Sequence, residues 1–310
     1  MPLHLETPLV ESRPLTVAAG LPVWLKVEAL QPSGSFKLRG IGHACEVLRA
    51  RGARRFVSSS GGNAGLAVAY AGRRLGAAVT VIVPETTTER ARELLRLEGA
   101  EVQVHGASWQ EANELARSLV GPADAFVHPF DDPLLWEGHA TLVDEVARTG
   151  LRPGAVVLSV GGGGLLAGVV QGLQRNGWRD VPVFAVETAG AASLHAALSA
   201  GKPVELARIE SIATSLGAKR VCEEALRCAR EHPVRSVVVS DRSAVSACER
   251  FLADHRILVE PACGASLAIL SERPADLAGL ASVLVIVCGG ATCTVEQLQA
   301  WARGLAPIGP

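Results

Sequence analysis

A chain of 310 residues, 48% hydrophobic and 20% charged, can bury a large core, and its length suggests about two domains. Thirty basic against 31 acidic side chains leave a net charge of -1, which excludes the basic field that nucleic acid or an anionic membrane surface requires. The apolar runs are far shorter than the roughly 20 residues of a bilayer span. The N-terminus MPLHLETPLVESRP has no basic region followed by an apolar one, so it does not read as a signal peptide and a cytoplasmic protein is expected. Seven cysteines, an odd number with no C-x-x-C pair, argue against a disulfide framework or a structural zinc site.

In chain order, the turn Pro32-Ser33-Gly34-Ser35 opens a helix whose apolar face includes Leu38, Ile41, Ala44 and Leu48. A strand RRFVSS (54–59) precedes the helix NAGLAVAYAGRRLG, and a strand AVTVIV (78–83) precedes TERARELLRLEG, where Gly99 is the expected C-cap. Strands EVQVH (101–105) and DAFVH (124–128) flank the helix WQEANELARSLVG. AVVLSV (155–160) leads through four glycines into LLAGVVQGLQ, and further strands are PVFAVE (182–187), VRSVVVS (234–240) and SVLVIVC (282–288). AVSACERFLADH is helical, and Glu260-Pro261 opens a helix over 262–271 with proline in its first turn. Strands alternating with helices imply parallel sheets and right-handed crossovers, an α/β fold. Eight strands make one sheet or two, and the absence of a Ser/Gly-rich linker suits a discontinuous domain.

Three turns and one strand end could carry chemistry. Gly161, Gly162, Gly163 and Gly164 let the backbone approach an anion at a helix N-terminus, which points to a phosphate cup; a plain tight turn is the alternative. The same stretch also fits a dinucleotide fingerprint, Gly162-x-Gly164-x-x-Ala167 with Glu187 at the end of the next strand, which would make a dehydrogenase. Ser58-Ser59-Ser60-Gly61-Gly62-Asn63 is either a helix start capped by Asn63 or a carboxylate site of amides and hydroxyls. Lys37 is an ordinary solvated lysine, or an amine whose pKa is lowered by the positive helix end and suited to Schiff-base chemistry. Cys288 ends a parallel strand, where open α/β sheets place ligands.

Together and in this order, QPSGSFKLRGIGH (31–43), SSSGGNAGLAVAYA (58–71), HPFDDPLLWEGHATL (128–142), LSVGGGGLLAGVVQGLQ (158–174), ILVEPACGASLA (257–268) and VIVCGG (285–290) resemble the fold-type-II pyridoxal-phosphate enzymes. Within them the chain looks most like the cytosolic L-serine dehydratases (serine/threonine ammonia-lyases). The resemblance implies two open α/β domains: a large one from 1–34 and 139–310, and a small one, 35–138, inserted in it, with the site in the cleft between them. Lys37 would hold pyridoxal 5'-phosphate and serve as the base at Cα, with Phe36 packed on the ring. Gly161 to Gly164 with Leu165 would hold the phosphate. Ser60, Gly61, Gly62 and Asn63 would bind the substrate carboxylate, Asn63 lying also near the cofactor's 3-hydroxyl, and Cys288 would face the pyridine nitrogen. A thiol protonates that nitrogen weakly, which favours loss of the β-substituent over transamination. Glu187, with the carbonyls of Gly161, Ala191, Leu216 and Ala218, would bind a monovalent cation such as potassium. A homodimer is also implied.

The expected reaction is dehydration and deamination of L-serine, and of L-threonine, with the cofactor phosphate as acid, because no nearby carboxyl is evident in the motifs. Serine racemases carry a serine where Gly61 stands, so two-base racemisation is not expected; a threonine dehydratase, a dehydrogenase or a silent binding relative are the alternatives. His43, His128 and His139 are expected to make structural hydrogen bonds.

Overall fold

The computed structural model describes residues 1–272 and 274–305. Its strands are β1 (Leu9–Glu11), β2 (Val23–Lys26), β3 (Arg55–Ser58), β4 (Ala78–Val83), β5 (Glu101–Val104), β6 (Asp124–Phe126), β7 (Ala155–Ser159), β8 (Val183–Thr188), β9 (Val234–Val239) and β10 (Val283–Ile286). They form a six-stranded sheet, β1-β2-β10-β7-β8-β9, and a four-stranded sheet, β5-β4-β3-β6. All eight expected strands are present. β1 and β2 were not foreseen, since β1 is only three residues long and β2 ends in a charged lysine. β1 pairs antiparallel with β2 at the sheet edge, and the remaining pairings are parallel, as the crossover argument requires.

Each sheet has a point where the chain reverses its direction of winding. β8 and β9 lie to one side of β7 and β10 to the other; β4 and β5 lie to one side of β3 and β6 to the other. Loops at the carboxyl ends of strands diverge at such points and leave a crevice. The glycine turn follows β7, Cys288 follows β10, the Ser/Asn turn follows β3, and residues 127–131 follow β6. These four loops, three of them candidates from the sequence, therefore belong to the crevices, and this topology is what gathers them.

The large sheet is covered by one apolar cluster, which includes Val156, Val157, Leu158, Leu166, Phe184 and Val285. The small sheet has apolar packing on both faces: one cluster contains Phe56, Val81 and Leu95, the other Val57, Ile82, Ala112 and Ala116. The helix Pro133–Arg148 spans the two sheets and packs against both the helix Lys37–Ala50 and the helix Gly164–Arg175. It crosses Lys37–Ala50 closely enough that a Cβ on Gly138 would lie 2.4 Å from the Arg39 carbonyl oxygen.

Beneath this crossing lies a buried charge network. The Arg39 guanidinium donates to both oxygens of Glu28, at 2.7 and 2.8 Å, and to both oxygens of Glu145, at 2.6 and 2.7 Å. Lys26 also pairs with Glu145 and donates to the Thr7 carbonyl at 2.6 Å. Two cations face two carboxylates, so burial leaves no net charge, whereas removing one partner of such a group costs about 3–5 kcal/mol. Arg39 stands two residues beyond Lys37, and the network ties the start of that helix to the N-terminal segment.

Candidate active site

Lys37 is the first residue of its helix, a half-buried residue whose amine donates to the Pro129 carbonyl at 2.7 Å. Its pKa is lowered to about 8, chiefly because burial disfavours the ammonium; Cys288, Glu260 and Cys222 oppose that shift. Burial is thus the principal cause, where the sequence had suggested the helix end. The Pro129 carbonyl is presented by a turn built on His128, whose Nδ1 accepts from the amides of Asp131 at 2.8 Å and Phe130 at 3.3 Å. Burial lowers the His128 pKa to about 4, so this imidazole is neutral and Nδ1 is free to accept.

Phe130 carries the turn to the glycine loop. A Cβ on Gly162 would come within 2.2 Å of the Phe130 ring, and one on Gly164 within 2.6 Å of its carbonyl oxygen. Gly163 has φ +94° and caps the helix Gly164–Arg175, whose first amides lack acceptors within the helix. Leu165 is buried in that first turn. The loop is therefore backbone only, at a helix start, and its geometry fits an anion.

Of the two readings of Asn63, capping does not hold. Gly62 occupies the N-cap position and Asn63 is the first helical residue, with its side chain turned across the cleft. The amide donates to Glu260 Oε1 at 2.8 Å and approaches the Ser215 hydroxyl at 3.5 Å, while its oxygen accepts from the Ala291 amide at 3.1 Å. Ser60, Gly61 and Gly62 are half-buried on the same loop. A Cβ on Gly61 would lie 2.6 Å from Thr87 Cγ2 and 3.2 Å from Val83 Cγ1.

Cys288 is buried beyond β10, and its carbonyl accepts from the Phe36 amide at 3.1 Å. Hydrogen bonding with Cys263 and burial hold its thiol well above the ordinary range, so it is neutral. Phe36 lies against His139, ring centroids 5.0 Å apart. His139 is fully buried with both ring nitrogens unpartnered, so the hydrogen bonds expected of it are absent; burial keeps it neutral. His43 lies 3.5 Å from a Glu137 oxygen.

Three of the residues named for the cation lie near one another. Gly161 lies close to Leu216, and Ala218 donates to the Leu216 carbonyl at 2.8 Å. Glu187 accepts from the amides of Leu194 and His195, each at 2.8 Å, and burial raises its pKa to about 7. That residue is wholly buried, out of reach of a bulky ribose, which removes the support for the dinucleotide fingerprint. Among the described residues there is no cluster of three or more His, Cys, Asp or Glu placed to hold a metal ion, and no helix long and apolar enough to cross a membrane.

An amine of lowered pKa, an aromatic ring beside it, a side-chain-free anion cup and a neutral thiol form a donor set that fits pyridoxal phosphate. The chain belongs to the family of pyridoxal-phosphate dependent enzymes, whose family model matches residues 1–289. It is 51% identical to an L-serine dehydratase/L-threonine deaminase of Mus musculus, over 96% of this chain and 94% of that one. It is 54% identical to a serine dehydratase-like protein of the same organism, with the same coverage. Among solved structures, an L-serine ammonia-lyase from the fungus Rhizomucor miehei superposes with a TM-score of 0.93 at 38% identity, covering 99% of this chain and all of that one. The two parallel sheets are those of fold-type-II members.

Glu260, Ser215, Thr87 and the 128–130 turn were not foreseen as parts of this site. Glu260 had one available signal: it is the only charge in the apolar stretch ILVEPACGASLAIL (257–270).

Proposed function

We propose that this protein is a lyase converting L-serine to pyruvate and ammonia, with L-threonine, giving 2-oxobutyrate, as a second substrate. The observation that carries the reading is 51% identity, over nearly the whole chain, to a protein named for both activities, joined to a loop with no side chain at Gly61. When bound, pyridoxal phosphate supplies an electron-poor ring that takes up the electron pair left when the Cα–H bond breaks. Phe36 would pack on that ring, Gly161 to Gly164 with Leu165 would hold its phosphate, and the Cys288 thiol would face its nitrogen. Ser60, Gly61, Gly62 and Asn63 hold the substrate carboxylate with amides and hydroxyls at a helix start. Lys37 Nζ takes the Cα proton; its lowered pKa keeps a substantial neutral fraction near pH 8. The β-hydroxyl leaves as water with a proton that the cofactor's phosphate would supply, and hydrolysis of the resulting enamine consumes one water and releases ammonia. With no side chain at Gly61 to serve as a second base, elimination prevails over racemisation in this proposal.

Residues 35–138, which contain the four-stranded sheet, act in this proposal as the smaller domain and close on the substrate. Glu187 with the carbonyls of Gly161, Ala191, Leu216 and Ala218 takes potassium, a hard cation suited to oxygen ligands. The enzyme works as a cytoplasmic homodimer, which sedimentation of the purified protein tests. The catalytic test is keto-acid formation from L-serine, L-threonine and D-serine, in potassium and in tetramethylammonium buffers. Turnover of the two L-amino acids is expected, faster in potassium; no keto acid from either would end the proposal, and equal rates in the two buffers would end its cation part.

Gly61 allows a finer check. A methyl there meets both γ atoms of Thr87 and, at 3.2 Å, Val83, so the half-exposed loop after β4 that carries Thr87 must give by a few tenths of an ångström. Gly61→Ala also restricts a loop glycine, so the carboxylate is held more firmly. The variant is expected to raise kcat for L-serine by about threefold; an unchanged or lower kcat in steady-state assays would refute the slack-loop explanation.

A further inference from the structure

Glu260 precedes the helix Pro261–Glu272, and its carboxyl is buried with only 8% of the residue exposed. The backbone around it is held tightly. Its carbonyl accepts from the amides of Cys263 and Gly264, at 2.8 and 3.0 Å, and from the Cys248 thiol at 3.3 Å. The loop after Cys288 is shaped around the side chain: a Cβ on Gly290 would lie 2.4 Å from Glu260 Cγ and 2.5 Å from its carboxyl carbon. One oxygen accepts from Asn63 Nδ2 at 2.8 Å, while Asn63 Oδ1 accepts from the Ala291 amide at 3.1 Å. Asn63 follows β3 of the small sheet, whereas Glu260 opens the helix Pro261–Glu272, which packs on the large sheet, and Ala291 follows β10 of that sheet. Flipping the asparagine amide would set an oxygen against the carboxylate and an NH₂ against an N–H, so this bracket permits one orientation.

We propose that Glu260 is a positioning residue for the reaction: from the large sheet it fixes the Asn63 amide across the cleft, and with it the loop that holds the substrate carboxylate. The inference rests on the pyridoxal-phosphate reading of the site. A glutamine could accept the same hydrogen bond without the cost of burying a charge, so the carboxylate has a second use. Lys37, Cys248, Cys288 and Cys293 are the titratable groups that face it. Of these only Lys37 is a cation when protonated, and the Glu260 charge favours its ammonium form. Burial raises the Glu260 pKa to about 7, partly offset by hydrogen bonds from Ser215 and Asn63 and by Lys37. Glu260 thus gains its charge just below the range in which Lys37 titrates.

The test uses the cofactor-free protein, with pyridoxal phosphate as the probe. Dissociation constants by equilibrium dialysis are compared for wild type, Asn63→Ala, Glu260→Ala and the double variant. Each single change is expected to weaken binding about tenfold, the value of one strong hydrogen bond. The double variant should be no more than about twofold worse than Asn63→Ala, because Glu260 acts through Asn63. Multiplied losses, roughly a hundredfold, would overturn the proposal. Glu260→Gln guards against a misfolded alanine variant. It should keep the affinity within about threefold while the pH midpoint of the Lys37 reaction with the probe falls by about 0.5 to 1 unit. An unmoved or raised midpoint would overturn the electrostatic half of the proposal, and a tenfold affinity loss in Glu260→Gln the orienting half. Wild-type protein that binds no pyridoxal phosphate would instead defeat the functional reading on which both rest.

Discussion

Lys37→Ala is expected to abolish keto-acid formation, with kcat falling by at least about a thousandfold, the range that a positioned general base supplies. The loss should be chemical, since the amine's hydrogen bond is to the Pro129 carbonyl, and losing a single bond of this kind costs about 1 kcal/mol. The melting temperature should therefore move by only a few degrees. Lys37→Arg sharpens the point. It keeps the positive charge beside Glu260 and Phe36, yet a guanidinium stays protonated at every working pH and can neither add to a carbonyl nor take a proton from Cα. Both variants should lack the visible absorption band of a lysine-bound cofactor. Retained turnover in either would remove Lys37 from the mechanism.

What could be read from the sequence, and what could not, divides along one physical line. The glycine turn, the Ser/Asn turn and the lysine after a Pro/Ser/Gly turn are contiguous, and each sits at a strand-to-helix junction that hydrophobic patterning locates. The eight expected strands were visible for the same reason. β2 was hidden because Lys26 looks like the end of a short amphipathic run, while in the structure that lysine is buried on Glu145, more than a hundred residues away. Arg39 and Glu28 likewise resemble surface charges until the fold brings them together. Asn63 shows the converse case. Its position at a helix start was clear, but capping and ligand binding remained equal until its side chain was seen turned to Glu260 and Ala291. The roles of His128 and Phe130 depend on the reversal of winding in the small sheet, which no local pattern encodes. Glu260 was read only as the opening of a helix, although a lone carboxylate in an apolar stretch was the one local sign that it is buried.

Gly163→Ala should separate the phosphate cup from the rest of the site. At φ +94° the residue lies in the left-handed region, where a Cβ costs roughly 1–2 kcal/mol. That Cβ would also come within 2.4 Å of the methyl of Ala225, buried on the helix Glu223–Glu231, and 2.8 Å of Cγ2 of the buried Val221. Neither neighbour is the far end of a flexible chain, so the glycine loop itself must shift, and its amides lose their common aim. The expected result is an affinity for pyridoxal phosphate lower by about a hundredfold, since several charge-assisted hydrogen bonds are loosened together. Pyridoxal lacking the phosphate supplies the internal control. If the loop serves the phosphate, the variant should bind pyridoxal within about threefold of wild type, because Lys37, Phe36 and Cys288 stand on other elements. Equal losses for the two aldehydes, measured on folded variant, would mean that Gly163 supports the fold of the cleft and not the anion.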